Sequence, residues 1–561
     1  MSQRNPSAID AIANQYTARF AALDPIAATS LGVQGYDHLM TDFSPDGYGE
    51  RAALNRTTLD ELGHAQVRDE ADAITLAAMR DRLGVELELH EAGEEYAELN
   101  VIECPLQTIR DSFDLMATDS ADDWATIASR MSRVPDAIAG YLASLRTGMQ
   151  AGLFPAALQV TETIKQAAEL ADPATSFFVT LAGGATPDGA AASGSLAADL
   201  ARASHAAAEA YGQLATFLAD EVAPKAREDD AVGRERYALW SRYFVGAAVD
   251  LDETYEWGLE ELARLEAEQE AIAAEIAGPG ATVRQAMDVL DRDASRKILG
   301  TAALREWMQE TVDATMTALD GVYFDIPEPV RTIQAMIAPT HNGGIYYTAP
   351  SDDFSRPGRM WWSVPPDVDE FDTWRERTTV NHEGVPGHHL QIGQAVFNRD
   401  QLNDWRRLVS WTSGHGEGWA LYAERLMQEF GFMDDPGDRL GLVDGQRMRA
   451  TRVVLDIGVH CRKQAPARWG GGVWDADKAW ALFTGNVHEA VPFMRFEVNR
   501  YLGWPGQAPS YKIGQRIWEQ IRDESRKAAE SRGDAFDLKA FHSRALGLGA
   551  LPLDVLRSAL A

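Results

Sequence analysis

Cysteine is nearly absent from this chain: Cys104 and Cys461 are the only two in 561 residues. Two isolated thiols cannot build a disulfide framework, and neither has a neighbouring cysteine with which to form a metal knuckle. Long apolar runs are missing as well. No stretch approaches the roughly 18 apolar residues of a membrane-crossing helix. The opening MSQRNPSAIDAIANQYTARF has no apolar leader core and reads directly as an amphipathic helix, so a cytoplasmic protein is expected. Positive charge is scarce: 52 basic residues against 85 acidic give −33. Such a field repels nucleic acid and anionic membrane and mainly confers solubility, so neither is expected as a partner. No G-x-S-x-G elbow occurs and neither cysteine has catalytic surroundings, which argues against a conventional serine or cysteine hydrolase.

What is present is helical periodicity over a 45% apolar composition. After Ser7, a plausible N-cap, Ile9, Ile12, Tyr16, Phe20 and Leu23 step by three or four until Asp24-Pro25 ends the helix. Residues 69–92, 120–150, 196–222, 234–277 and 301–319 repeat the pattern, and 182–195 form a small-residue loop. LEELARLEAEQEAIAAEIAG is too short a repeat for a coiled coil and predicts one long surface helix. The texture then changes. Val330–Ile337 and Gly343–Tyr347 alternate in strand fashion, with a third strand at Trp361–Val364. Helical reading returns over 372–398, 416–430, 438–464 and 475–486. With no fixed repeat and no low-complexity linker, the chain reads as a single unit, 1–561. Within it, 1–325 form an N-terminal helical portion, and 326–561 carry the strands and the chemistry. The expected fold is mainly α, with a small β patch just before a histidine-rich helix.

That helix carries Thr379-Val-Asn-His-Glu-Gly-Val-Pro-Gly-His-His-Leu-Gln391. Twelve histidines are spread over the chain, yet His382, His388, His389 and His415 fall within 34 residues. Imidazoles suit zinc, and a carboxylate beside an activated water makes a general base. The usual zinc helix is H-E-x-x-H, but four residues after His382 stands Pro386. A straight helix would favour His389, seven positions on, over His388, six positions on. Pro386 and Gly387 allow a break that brings His388 round instead, so the residues alone leave both open. Glu417, beside two glycines in Gly414-His-Gly-Glu-Gly-Trp-Ala-Leu-Tyr-Ala-Glu424, is the candidate third ligand, with Glu424 an alternative. His415 and His488 read as a supporting or capping residue and a surface residue beside Glu489.

His-Glu-Gly-Val-Pro-Gly-His-His-Leu-Gln resembles the H-E-x-x-P-G-H-x-x-Q signature of the bacterial DUF885 family, which is similar to a divergent branch of the zinc metallopeptidases. Gly416–Glu424 and Pro505–Gly514 agree with two further blocks of that family. The first of these is also similar to the Glu-Gly-Phe-Ala-x-Tyr-x-Glu block of zinc aminopeptidases, whose first glutamate binds metal. In the family signature the residue after the second histidine varies, which favours His388 over His389. The resemblance implies a large helical zinc-peptidase-like body with a deep cleft. It implies zinc held by His382, His388 and Glu417, Glu383 as general base, and Tyr511 as donor to the oxyanion. Arg500, Tyr501 and Lys512 are expected to hold an anionic end of a short peptide or small amide substrate. Two other readings share these residues: a zinc amidase or esterase acting on a non-peptide metabolite, and a metal-free helical binding protein with a relic motif.

Overall fold

Residues 4–338 and 344–561 are described by the structure, a computed structural model. The first helix, Ala8–Leu23, opens on a reciprocal cap: Ser7 Oγ accepts from the Asp10 amide (3.1 Å) and Asp10 Oδ2 from the Ser7 amide (2.8 Å). Asp24 ends it and caps the next helix by accepting from the Ala27 amide (3.0 Å). Helices Glu70–Glu91 and Thr301–Leu319 fall where the periodicity places them. Two predicted helices are each broken in two. Residues 120–150 form Ala121–Met131 and Val134–Gln150, because Pro135 lacks the N–H an uninterrupted helix needs and sits instead in a first turn. Residues 234–277 divide at Gly246, whose φ of 68° ends Arg234–Val245 before Leu251–Ala277 begins.

Five short strands are present among the described residues: β1 (Lys297–Leu299), β2 (Ile333–Ile337), β3 (Ile345–Thr348), β4 (Gly358–Trp362) and β5 (Glu370–Asp372). The central strand is β4, parallel to β2 (Ala335 opposite Met360) and antiparallel to β3 (Tyr347 opposite Met360). The third strand therefore begins three residues before the predicted Trp361, with Met360 and Trp362 turned into the core. Gly343, the start of the predicted second run, lies outside the described residues. The β1–β5 pair was not anticipated, since three-residue strands are too short to show a period of two.

The chain is mainly α-helical. Its apolar residues bury themselves in two clusters. The smaller is built by residues between Ile26 and Val222, chiefly from helices between Pro105 and Phe217. The larger joins Ala8–Leu23, Glu70–Glu91, Leu251–Ala277 and Thr301–Leu319 to the histidine-rich half. Residue 325 is thus not a boundary between cores: helices from before it pack directly under the motif.

Candidate metal centre

The histidine motif is not one helix. A first motif helix, Thr373–Glu383, ends at Gly384, and a second, His388–Phe397, starts after Gly387, with a cis Val385–Pro386 bond between them. Gly387 donates to the Asn381 carbonyl (3.0 Å) and His389 to the Gly384 carbonyl (3.1 Å). This turn is too tight for any side chain at 387: a Cβ there would lie 1.9 Å from the His382 carbonyl oxygen. The Pro386 carbonyl is satisfied by the indole N–H of Trp419 at 2.9 Å, from the glutamate helix Ser413–Glu429.

The break turns His388 back towards His382. Their rings stand at 89° with centroids 4.9 Å apart, and the Nε2 atoms of both lie 3.3 Å from one oxygen of Glu417. Three ligands bonded at about 2.0–2.1 Å in a tetrahedron are about 3.3 Å from one another, so these two contacts match the edges of such a site. The donor atoms of His382, Glu383 and His388 also lie within 4.8 Å of one another. Glu417 is not in that 4.8 Å group but contacts both imidazoles at 3.3 Å, whereas Glu424 reaches only His382. Glu383 lies alongside, buried, with Oε2 lacking any hydrogen-bond partner.

Glu424, the alternative ligand, has a different task. Its Oε1 accepts from His382 Nδ1 at 2.7 Å, and its Oε2 accepts from Thr378 Oγ1 (2.9 Å) and Gln446 Nε2 (3.4 Å). That bond holds a proton on Nδ1, so that a metal displacing the proton shared between Nε2 and Glu417 would meet the Nε2 lone pair, the usual arrangement behind a metal-binding histidine. His389 is engaged outside this cluster. Its Nε2–H donates to the Val330 carbonyl (2.7 Å) and its Nδ1 accepts from Tyr347 (2.9 Å), so both nitrogens are spent. Burial holds it neutral, its pKa lowered to about 4. His415 is likewise buried and neutral, its pKa lowered by burial to about 3; Gln391 of the motif donates to its Nδ1 at 3.1 Å. It ties the second motif helix to the glutamate helix. His488 contacts Asp444 (2.9 Å) and not Glu489.

The electrostatics fit a cation. Three carboxylates, Glu383, Glu417 and Glu424, meet two imidazoles in a buried space, and none of the three has a lysine or arginine within ion-pair distance among the described residues. Burial resists protonation of His382, yet Glu417 and Glu424 outweigh it and lift its pKa to about 10. Burial pushes the Glu383 carboxyl up, opposed by the two imidazoles. For Glu417 the imidazoles overcome burial and hold it well below the usual range. Uncompensated buried charge is costly, and a divalent ion between His382, His388 and Glu417 would relieve it.

The tyrosine helix, Gln507–Ser531, lies against the glutamate helix. Their backbones touch through glycine: a Cβ on Gly418 would sit 2.5 Å from Gly514, and one on Gly514 would sit 2.1 Å from the Gly414 carbonyl oxygen. Ser413 and Ser510 bond across the contact at 2.7 Å. This approach places Tyr511 within the field of Glu417, with Arg452 over its ring at 5.0 Å. Burial, then Glu417, raises the phenol's pKa, so it keeps its proton.

The other expected substrate contacts are committed elsewhere, and two need correction. Tyr501 is fully buried, its hydroxyl held by Glu497 and by Arg452 Nε (2.7 Å). Lys512 is buried and donates to Gln446 (2.6 Å) and Gln515 (3.0 Å) while paired with Glu261 (3.0 Å). Both point into the core because their helices turn those faces inward. Arg500 binds Glu497 (3.0 Å) and Gln507 (2.6 Å). Sequence reasoning passed over Arg449 and Trp411. Trp411, 44% exposed, stands 6.3 Å from the His388 ring and covers Gly416, where a Cβ would meet its indole at 2.2 Å.

The family model described as bacterial protein of unknown function, DUF885, matches residues 25–560. The chain belongs to the DUF885 family. Two solved structures share the DUF885 chain's fold across 98% of both partners. "The putative lipoprotein from Colwellia psychrerythraea" has 20% identity and a TM-score of 0.82. "A putative lipoprotein of unknown function from Shewanella oneidensis" has 16% identity and a TM-score of 0.70. No curated protein matches the DUF885 chain. Both neighbours are titled putative lipoproteins, a finding that contradicts the cytoplasmic expectation. That expectation rested on the lack of an apolar leader, and composition of a folded body does not report its compartment. Among the described residues no helix is long and apolar enough to cross a membrane.

Proposed function

We propose that this DUF885 protein is a zinc-dependent hydrolase of amide bonds in short peptides. The observation that carries the reading is the meeting of His382 and His388 Nε2 on one oxygen of Glu417, 3.3 Å from each, with Glu383 alongside. His382, His388 and Glu417 would hold the ion, and two imidazoles with one carboxylate suit zinc. Bound zinc supplies Lewis acidity and lowers the pKa of a coordinated water from 15.7 to about 7.

The chain's own residues do the rest. Glu383, its Oε2 unpartnered, takes the proton of the attacking water and passes it to the leaving amine. Burial raises its affinity for that proton, as a base working near neutrality requires. Tyr511, kept protonated, donates to the oxyanion that develops on the carbonyl oxygen. Glu424 holds the His382 ring in its working tautomer. Strand β3, at an edge of its sheet among the described residues, offers backbone groups to an extended peptide. Trp411 supplies an apolar wall beside His388. An open cleft along these groups is part of the proposal.

The test joins metal analysis to one substitution. The purified chain should carry close to one zinc, and Glu383→Gln should keep it while losing peptide hydrolysis, about 10²–10⁴-fold. A chain without zinc affinity supports the relic reading, and full turnover by Glu383→Gln overturns the mechanism.

A further inference from the structure

The helix Pro436–His460 runs past the centre with Gln446, Arg449 and Arg452 in successive turns. Gln446 donates to Glu424, which holds His382. Arg452 pairs with Glu497 (2.7 Å) and lies over Tyr511. Arg449 stands between them, about 4.5 Å along the axis from each, and shares their field: it acts on Glu383, Glu424 and Tyr511. Yet its own bonding is nearly empty. One Nη1 contact goes to the Gly445 carbonyl (3.2 Å), Nε is buried with no partner, and no carboxylate among the described residues is within ion-pair distance. Arg447 and Arg452 on the same helix are bonded on several sides. Arg449 is half-buried, so it retains a solvent-facing side.

An arginine with free donors, on the helix turn between the residue that contacts Glu424 and the one that lies over Tyr511, is suited to a planar anion arriving with the substrate. We propose that Arg449 receives the free C-terminal carboxylate of a peptide, making the enzyme one that removes one or two residues from C-termini. The proposed length of one or two residues follows from Arg449 lying close enough to Glu383 for its charge to act on that carboxyl, while a chain spans about 3.3–3.6 Å per residue. Lys512 and Tyr501 cannot play this part because both are buried and engaged. The inference rests on the hydrolase reading for its chemistry, but the carboxylate contact can be measured without turnover.

The probes are Ala-Ala-Ala-Ala as free acid and as C-terminal amide, applied to the zinc-loaded full chain. The acid should be cleaved with kcat/KM about 10- to 100-fold above the amide. Arg449→Gln should bring the two to parity by losing the acid alone, with zinc content and unfolding midpoint unchanged, and Arg449→Lys should restore part of the preference. Binding of the same pair to Glu383→Gln, read by calorimetry, should show the acid preference with no hydrolysis. Equal binding of acid and amide there, or loss of both substrates in Arg449→Gln, overturns the anchor. A binding preference without cleavage by the wild type supports the anchor and sinks the hydrolase reading. If Arg449→Gln does not fold, the wild-type acid-to-amide ratio decides.

Discussion

At His382 the two ring nitrogens have opposite duties: Nδ1–H is tied to Glu424, and Nε2 is presented to Glu417 and the space beside His388. Converting Glu424 to glutamine keeps a hydrogen-bonding group but removes the charge that, in the proposed zinc site, would make the imidazole a stronger ligand. Zinc affinity of Glu424→Gln should fall about 10- to 100-fold, measured by competition with a chelator. An unchanged affinity would show that Glu424 only packs. Asp456 gives a second prediction at this scale. It is fully buried, accepts from the Gly506 amide at 3.0 Å, and burial raises its pKa from 3.8 to about 7. A carboxyl raised on folding contributes stability below its unfolded pKa and loses it as pH rises through the folded value. The contribution therefore declines between about pH 4 and pH 7, by up to about 4 kcal/mol. Relative to wild type, Asp456→Asn should grow more stable across that window in urea unfolding; parallel pH profiles would contradict the assignment.

At the scale of elements, the site depends on two places where backbones approach too closely for side chains. Gly514→Ala puts a methyl 2.1 Å from the Gly414 carbonyl and must push the tyrosine and glutamate helices apart. We expect a loss of about 1–3 kcal/mol, and because Tyr511 moves with its helix, kcat should fall more than zinc content does. Gly387→Ala meets the His382 carbonyl at 1.9 Å, so it should lose zinc and stability together. Urea midpoints and metal analysis on the two variants separate these outcomes. Trp419→Phe removes the N–H that satisfies the Pro386 carbonyl and should cost about 1–3 kcal/mol. The same elements show why periodicity misjudged lengths. Pro386 and Gly387 mark a possible break within 372–398, but only the folded chain shows the first helix ending at Glu383 and the second starting at His388.

Across the whole molecule, helix positions in the N-terminal half, the Ser7 cap, the β patch and the histidines and glutamates from which a metal site could be drawn were readable from sequence. Each is a local matter: side-chain period, cap chemistry, or residue types at fixed spacing. The choice between His388 and His389 was not local. The family resemblance favoured His388, and the fold agrees through the Val330 carbonyl and Tyr347, 59 and 42 residues away, which take up both nitrogens of His389. Roles for Tyr501 and Lys512 were misread for the same reason, since which face of a helix turns inward is set by the helices packed against it. Arg449 was invisible because its distinction is a lack of partners, and partners are counted only once the chain has folded. The sequence by itself determined the helices and the chemistry available to them. Tertiary packing alone decided which nitrogens, carboxylates and guanidinium stay free, because that depends on contacts between residues far apart in the chain.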